Sequence, residues 1–242
     1  MQNTSIKYEK QSVSDIVQTI INLCKNEGIS DIGFTQNNNP KIDLPFAISL
    51  VVHLSEKLIS EINTEPTMSY FHHYRTVNYF IDQTQLKIGN ILQNNGFDYI
   101  PIPASQSIST EEIPFSGRFS HKEIALKCGL GSIGKNCLFL HKEFGPRVRL
   151  GTVFTNLDLS DFCLDTPSTE PFLNPFCQQC NACIQACPSQ ALIGQNATNA
   201  QRENLLLPER CSQHMKKAYQ HIGRGAVCGI CMKVCPMGKG KA

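Results

Sequence analysis

Eight of the twelve cysteines fall between positions 177 and 235, and their spacing leaves few folds open. The first run is Cys177-x2-Cys180-x2-Cys183-x3-Cys187-Pro188. The second set is Cys211, followed by Cys228-x2-Cys231-x3-Cys235-Pro236. This is the spacing of a bacterial ferredoxin, and iron–sulfur chemistry explains it. Three thiolates two residues apart wrap three corners of one iron–sulfur cube. A fourth, beyond a turn that proline enforces, reaches a different cube. The pattern therefore predicts two [4Fe–4S] clusters with exchanged fourth ligands. Cys177, Cys180, Cys183 and Cys235 are expected to hold one; Cys187, Cys211, Cys228 and Cys231 the other. Cys211 replaces the first cysteine of an ordinary second run, since position 225 is glycine. A zinc pair also uses Cys-x2-Cys but has no use for Cys-x3-Cys-Pro.

The other cysteines, Cys24, Cys128, Cys137 and Cys163, are scattered ahead of these runs and read as small packing residues. The shift in density divides the chain into residues 1–165 and a ferredoxin-like domain over 166–242. Thr166-Pro167-Ser168-Thr169-Glu170-Pro171, closed by Pro175, is turn-rich and reads as the connection. A chain of 242 residues is long enough for a substantial core. Charged residues are 17% and the formal charge is +2, which excludes a charged disordered tail and gives no general case for nucleic acid. No stretch reaches the roughly 18 apolar residues of a membrane span, so no membrane partner is expected. Met1 to Gln11 lacks the apolar run of a signal peptide, so the expected location is the cytoplasm, where thiols stay reduced.

The first region alternates helical and extended patterns. Val13, Ile16, Val17, Ile20, Ile21 and Cys24 share one helix face, with Ser12 and Asp15 as an N-cap and Gly28 as a stop. Val77, Phe80, Ile81, Ile88, Ile91 and Leu92 mark a second helix ending at Gly96. Residues 31–34, 46–53, 97–101, 138–140 and 148–154 are strand candidates, 46–53 as a buried strand. The expected fold class is α+β.

Gly129-Leu130-Gly131-Ser132-Ile133-Gly134-Lys135-Asn136 contains G-x-G-x-x-G, but a dinucleotide site needs a strand before it and a helix after it. Here Ser120-His121-Lys122-Glu123 reads as a capping box opening a helix ahead of the loop, and a strand follows. The loop also approaches a P-loop, yet Asn136 stands where Ser or Thr would hold magnesium. Two readings remain open. One is a backbone cradle whose Lys135, Arg147 and Arg149 fork onto phosphate or amide oxygens. The other is a helix C-cap and turn with two solvated arginines.

The order Ser120-His121-Lys122, Gly129-Leu130-Gly131-x-x-Gly134-Lys135, Phe144-Gly145, Arg147-x-Arg149-Leu150 and then the ferredoxin run resembles the epoxyqueuosine reductase family. That family is related to corrinoid-dependent reductive dehalogenases. Tyr70-Phe71-His72-His73-Tyr74-Arg75 and Ile102-Pro103-Ala104-Ser105 resemble its short paralogues. The resemblance implies a nitroreductase-like α/β cofactor domain over 1–165 that holds base-off cobalamin. It implies cofactor contacts at Gly129, Leu130, Gly131, Gly134, Lys135, Arg147 and Arg149. The family's catalytic aspartate has no match. Phe115 stands at about its position, and the nearest carboxylates are Glu111 and Glu112. The chain stops seven residues after Cys235, short of the C-terminal repeats of the full-length enzymes, so tRNA is not an expected partner.

A reductive step needs protons, and Tyr74 and His73, in a cluster with Tyr70 and His72 ahead of the second helix, are the candidates to supply them. His214 and His221 read as part of a solvated basic face. The expected function is an iron–sulfur oxidoreductase. Its two [4Fe–4S] clusters relay electrons from a donor of ferredoxin or flavodoxin type to a cobalamin-type cofactor, which reduces a small-molecule substrate. The alternative is a non-enzymatic electron-transfer protein that reduces a partner protein. It would dock through the basic tail of Arg210, Lys216, Lys217, Arg224, Lys233, Lys239 and Lys241.

Overall fold

The computed structural model describes residues 11–106, 115–164, 173–225 and 227–239. The expected connection at 166–171 and the carboxylates Glu111 and Glu112 lie outside the described residues. In chain order the first part contains α1 (Val13–Glu27), β1 (Asp31–Gln36), β2 (Phe46–His53), α2 (Glu56–Ser60), α3 (Met68–Asn94) and β3 (Tyr99–Ile102). It continues with α4 (His121–Lys127), β4 (Gly131–Ile133), β5 (Phe139–His141) and β6 (Val148–Thr155). Among its described residues the cysteine-rich part adds the α-helices α5 (Ala182–Gln185), α6 (Arg202–Leu205), α7 (Pro208–Ala218) and α8 (Ile230–Lys233).

Four strands form an antiparallel sheet in the order β1-β2-β6-β3. Along β2, Ile48, Leu50 and Val52 join a core with Ile16, Ile20, Ile81 and Ile88 of α1 and α3. Ala47 and Val51 point the other way, into a second core with Ile124 and Ala125 of α4. The strand is covered on both faces, and this is why its sequence is apolar without alternation. Helix α1 begins and ends as its sequence expects. The Ser12 hydroxyl accepts from the Asp15 N–H at 3.2 Å, and Gly28 closes the helix at φ +88°. The mixed helix-and-sheet architecture follows the expected class.

Three local expectations are corrected. The Tyr70–Tyr74 segment does not precede the second helix; it forms the first turns of α3, where Tyr70 and Phe71 are buried. An aromatic every three or four positions packs a helix as aliphatics do, and the interleaved histidines masked that period. Ser120 occupies the N-cap of α4 but its side chain makes no capping bond. Strand β4 was not expected at all. It lies within the glycine-dense loop and exists because it pairs with β5.

That pairing sets a demand on Gly131. A Cβ there would collide with the Leu140 carbonyl and lie 2.7 Å from the Phe139 ring. Gly131→Ala is expected to lower stability by about 1–3 kcal/mol through overpacking. Equilibrium denaturation checks this; an unchanged midpoint would mean that the hairpin is looser than described.

Both cores extend into the cysteine-rich part. Ile230 and Met232 of α8 belong to the first, and Ala200 and Leu205 to the second.

Candidate functional site

The eight expected ligands fall into two groups by their influence on one another. Burial raises the Cys183 thiol to about 11, and the neighbours that raise it further are Cys235, Cys177 and Cys180. Cys235 is raised by burial and then feels Cys177 and Cys180. Burial likewise takes Cys211 to about 11, with Cys228 and Cys187 as its charged neighbours. For Cys231, raised well above the usual thiol range by burial, the leading neighbours are Cys228 and Cys211. Cys231 also feels Cys183, ahead of Cys187, so the two sets adjoin. Burial and mutual opposition raise six of these thiols, whereas Cys187 is lowered, its burial outweighed by hydrogen bonds from Ser189 and from the Leu192 and Ala191 N–H groups. A polycationic core removes that opposition, so the donor set fits a cluster. Among the described residues no three His, Cys, Asp or Glu side chains gather round a point suited to a single metal ion.

Cys177, Cys180, Cys183 and Cys235 line one cavity together with Lys135, Asn136, Leu140 and Pro236. The second group has a hydroxyl instead. The Tyr219 oxygen is 4.0 Å from the Cys228 sulfur and 3.2 Å from His214 Nε2. His214 therefore reaches the cysteine centre through Tyr219, a link the solvated-face reading did not anticipate.

The turn between β4 and β5 acts as a peg driven into the cysteine-rich part. Lys135 is 1% exposed, and its ammonium donates to the Asn181 Oδ1 at 3.0 Å, the Gln195 carbonyl at 2.9 Å and the Gln178 carbonyl at 3.4 Å. Asn136 donates to the Cys231 carbonyl at 3.4 Å. Gly134 stays small because a Cβ would lie 2.7 Å from Asn136 Oδ1 and 3.0 Å from Leu140. Arg147, also 1% exposed, donates to the carbonyls of Met237, Cys235 and Lys233 and pairs with Glu56 at 3.2 Å. Here the backbones of Phe144-Gly145 and Met237-Gly238 cross so closely that neither glycine has room for a Cβ.

A larger cavity of about 900 Å³ lies on the other side of the same hairpin. Ile133, Cys137, Leu138 and Phe139 of the hairpin form one wall, and Tyr74, Arg149 and the start of α4 form others. Arg149 donates to Asn78 Oδ1 at 2.8 Å and to the Ala104 carbonyl at 2.9 Å. Its guanidinium lies 4.4 Å over the Tyr74 ring. Tyr74 in turn tilts against Tyr70 at 6.4 Å between centroids, and Tyr70 lies close enough to Cys231 and Cys228 to feel their charge. Both cysteine groups thus approach the cavity, one through the hairpin and one through the tyrosines.

Of the seven expected cofactor contacts, Arg149 alone lines this cavity. Gly129 closes α4 at φ +65°, Leu130 is in the second core, Gly131 and Gly134 shape the hairpin, and Lys135 and Arg147 turn toward the cysteines. Of the two proton candidates, Tyr74 lines the cavity. His73 instead accepts the Ser55 N–H at 3.0 Å, and burial lowers its pKa.

Sequence reasoning passed over His121, Lys122 and Cys137 on the cavity wall. His121 bridges Thr152 Oγ1 at 2.9 Å and the Pro103 carbonyl at 3.0 Å, and burial lowers its pKa to about 4. It is therefore neutral at pH 7, a donor to Pro103 and an acceptor from Thr152. Lys122 donates to the Cys137 carbonyl at 2.8 Å, with the Cys137 sulfur at 3.7 Å. The signal available was the polar Ser-His-Lys triplet at a helix start, which reads equally well as a cap. Phe115 also lines the cavity, at φ +60°, and its carbonyl accepts from Arg202 at 2.9 Å. Cys24 and Cys128 are packing residues, both raised by burial, Cys24 to about 12.

Residues 176–238 match the model of a 4Fe-4S double cluster binding domain, which indicates 4Fe–4S cluster binding in this part of the chain. The chain is similar to the epoxyqueuosine reductase of Lactococcus garvieae, 34% identical over 124 residues, covering 48% of this chain and 31% of that protein. It is similar to a tetrachloroethene reductive dehalogenase of Desulfitobacterium hafniense, 30% identical over 128 residues, covering 48% of this chain and 22% of that protein. The chain thus spans about a third or less of the length of these curated relatives. In fold it is similar to a catabolic reductive dehalogenase solved in complex with 3-bromo-4-hydroxybenzoic acid. There the TM-score is 0.70 at 16% identity, over 96% of this chain and 33% of that one. Among the described residues no helix is long and apolar enough to cross a membrane.

Proposed function

We propose that this chain is the reductase core of a cluster-dependent oxidoreductase, with two [4Fe–4S] clusters beside a site for a base-off cobalamin and a small anionic substrate. The observation that carries this reading is the single hairpin wall shared by a four-cysteine cavity and a cavity of about 900 Å³. That volume is near the upper end of the roughly 300–1,000 Å³ typical of small-molecule sites. A protein that only carries electrons to a partner has no need of it. When bound, the clusters supply single electrons and the corrinoid supplies a low-valent metal that reduces the substrate.

The chain's own residues supply binding, charge and proton placement. Among the described residues, Lys41, Arg118, Lys122, Lys127, Arg149 and Arg202 line the large cavity against one carboxylate, Glu123. Glu123 is itself paired with Lys127 at 3.2 Å. Such a lining favours anionic groups, whether a cofactor phosphate or a substrate carboxylate. The brominated hydroxybenzoic acid of the dehalogenase neighbour is a small anion of this kind. Tyr74 places a phenolic hydroxyl at the cavity wall, with the Arg149 guanidinium over its ring. The nitroreductase-like label, the division at 165/166 and the eight-ligand assignment belong to this same reading. The donor is a one-electron protein of ferredoxin or flavodoxin type, meeting the basic face of α7 with its Arg210, Lys216 and Lys217.

Anaerobic, cluster-replete protein dialysed against cobalamin should retain about one cobalt per chain. Arg149→Ala should weaken retention by about tenfold while leaving the iron content unchanged. If cluster-replete protein retains no cobalamin, the corrinoid part of the reading falls.

A further inference from the structure

Lys135 poses a problem of charge. It is among the most deeply buried side chains of the protein, yet its three acceptors are an amide oxygen and two carbonyls, all neutral. Three acceptors suit the three donors of an ammonium. Among the described residues no carboxylate lies within ion-pair distance of it. A buried charge without a counter-charge is costly, and natural proteins avoid it. Arg147, the other fully buried cation among the described residues, has Glu56, and its charge also acts to lower Cys235. Lys135 lines the same cavity as Cys177, Cys180, Cys183 and Cys235, and its backbone N–H donates to Cys177.

We propose that Lys135 is the fixed counter-charge of the cluster held by Cys177, Cys180, Cys183 and Cys235, and that it raises that cluster's reduction potential without affecting the other. The proposal rests on the cluster reading above. Four thiolates and an oxidised cluster core of about +2 leave a net charge of about −2, which answers the buried ammonium. Adding one electron makes that charge more negative. A cation in a low-dielectric wall stabilises the reduced form more than the oxidised form, so its presence favours reduction. Among the described residues, no cation figures in the influences on the second group. The main influences on Cys211, Cys228 and Cys231 are burial, the neighbouring thiols and, for Cys228, the Ile230 N–H and the Tyr219 hydroxyl. Lys233, which lies between the groups in sequence, turns its ammonium to the Ile62 carbonyl.

The test is a reductive titration of holoprotein with dithionite as one-electron reductant, following the two cluster signals by EPR alongside the iron content. Lys135→Gln keeps polar contacts and removes the charge. It should make one cluster about tenfold harder to reduce, which is about 59 mV for one electron, and leave the other in place. Lys135→Arg should restore most of the shift. Asn181→Asp sets a carboxylate against the ammonium in an unchanged backbone and should lower the same cluster's potential, so the proposal stays testable if Lys135→Gln folds poorly. Full iron content with both potentials unmoved in Lys135→Gln and Asn181→Asp would overturn the proposal. So would equal movement of both clusters. Wild-type protein that binds no iron after reconstitution would instead overturn the cluster reading beneath it.

Discussion

Anaerobically purified protein with Cys183→Ala and Cys235→Ala combined is expected to hold about four irons per chain, the same as either single variant. Combining Cys183→Ala with Cys187→Ala is expected to remove nearly all of the iron. The two pairs contrast sequence distance with spatial grouping. Cys183 and Cys187 are one helical turn apart in one run. Cys183 and Cys235 belong to different runs, yet Cys235 heads the thiols that act on Cys183. Cys187 acts instead on Cys211 and Cys228. Ligands of one cluster are lost together, so a second deletion within the group costs nothing more. Deletions in different groups add. Iron and sulfide analysis of the five proteins gives the answer. If Cys183 and Cys187 proved redundant with each other, each run would serve its own cluster and the exchanged assignment would be wrong.

Arg147→Ala is expected to cost about 3–5 kcal/mol, the largest stability loss of any single substitution outside the cysteines. The side chain joins β6 to the end of the second cysteine run through the carbonyls of Met237, Cys235 and Lys233. Its removal leaves those carbonyls without a donor and Glu56 without its partner. Arg147→Lys should recover little, because one ammonium cannot span the fork of positions a planar guanidinium reaches. Chemical denaturation of cluster-replete protein checks both. A loss below about 1 kcal/mol would mean that water replaces the guanidinium at this junction.

The parts of this molecule governed by local pattern were legible in the sequence. The apolar run at 46–53 became the central β2, because a strand covered on both faces needs no polar side. The cysteine spacing marked the cluster-binding region, because ligand geometry acts over three or four residues. The direction in which the cations point was not legible. A glycine-dense loop followed by lysine and two arginines looks alike whether the acceptors are phosphates, main-chain carbonyls or cluster thiolates. Lys135 and Arg147 turned out to face the cysteine-rich part, and only Arg149 the cavity; that choice is made by tertiary packing. The cavity wall at His121 and Lys122 was hidden for a similar reason, since a helix start and a binding wall use the same polar residues.

The crossing of Phe144-Gly145 over Met237-Gly238, with Ile230 and Met232 packed in the first core, has a bearing on oxygen. Iron–sulfur clusters are broken down by oxidation, and in a loosely tethered ferredoxin module such damage would stay local. On the proposed two-cluster reading, the backbone that the clusters would organise also packs into the core of the sheet domain. Oxidative loss of the clusters would slacken the hairpin that walls the large cavity. On that reading air would weaken ligand binding in the large cavity as well as electron supply, and repair of the clusters would restore both together.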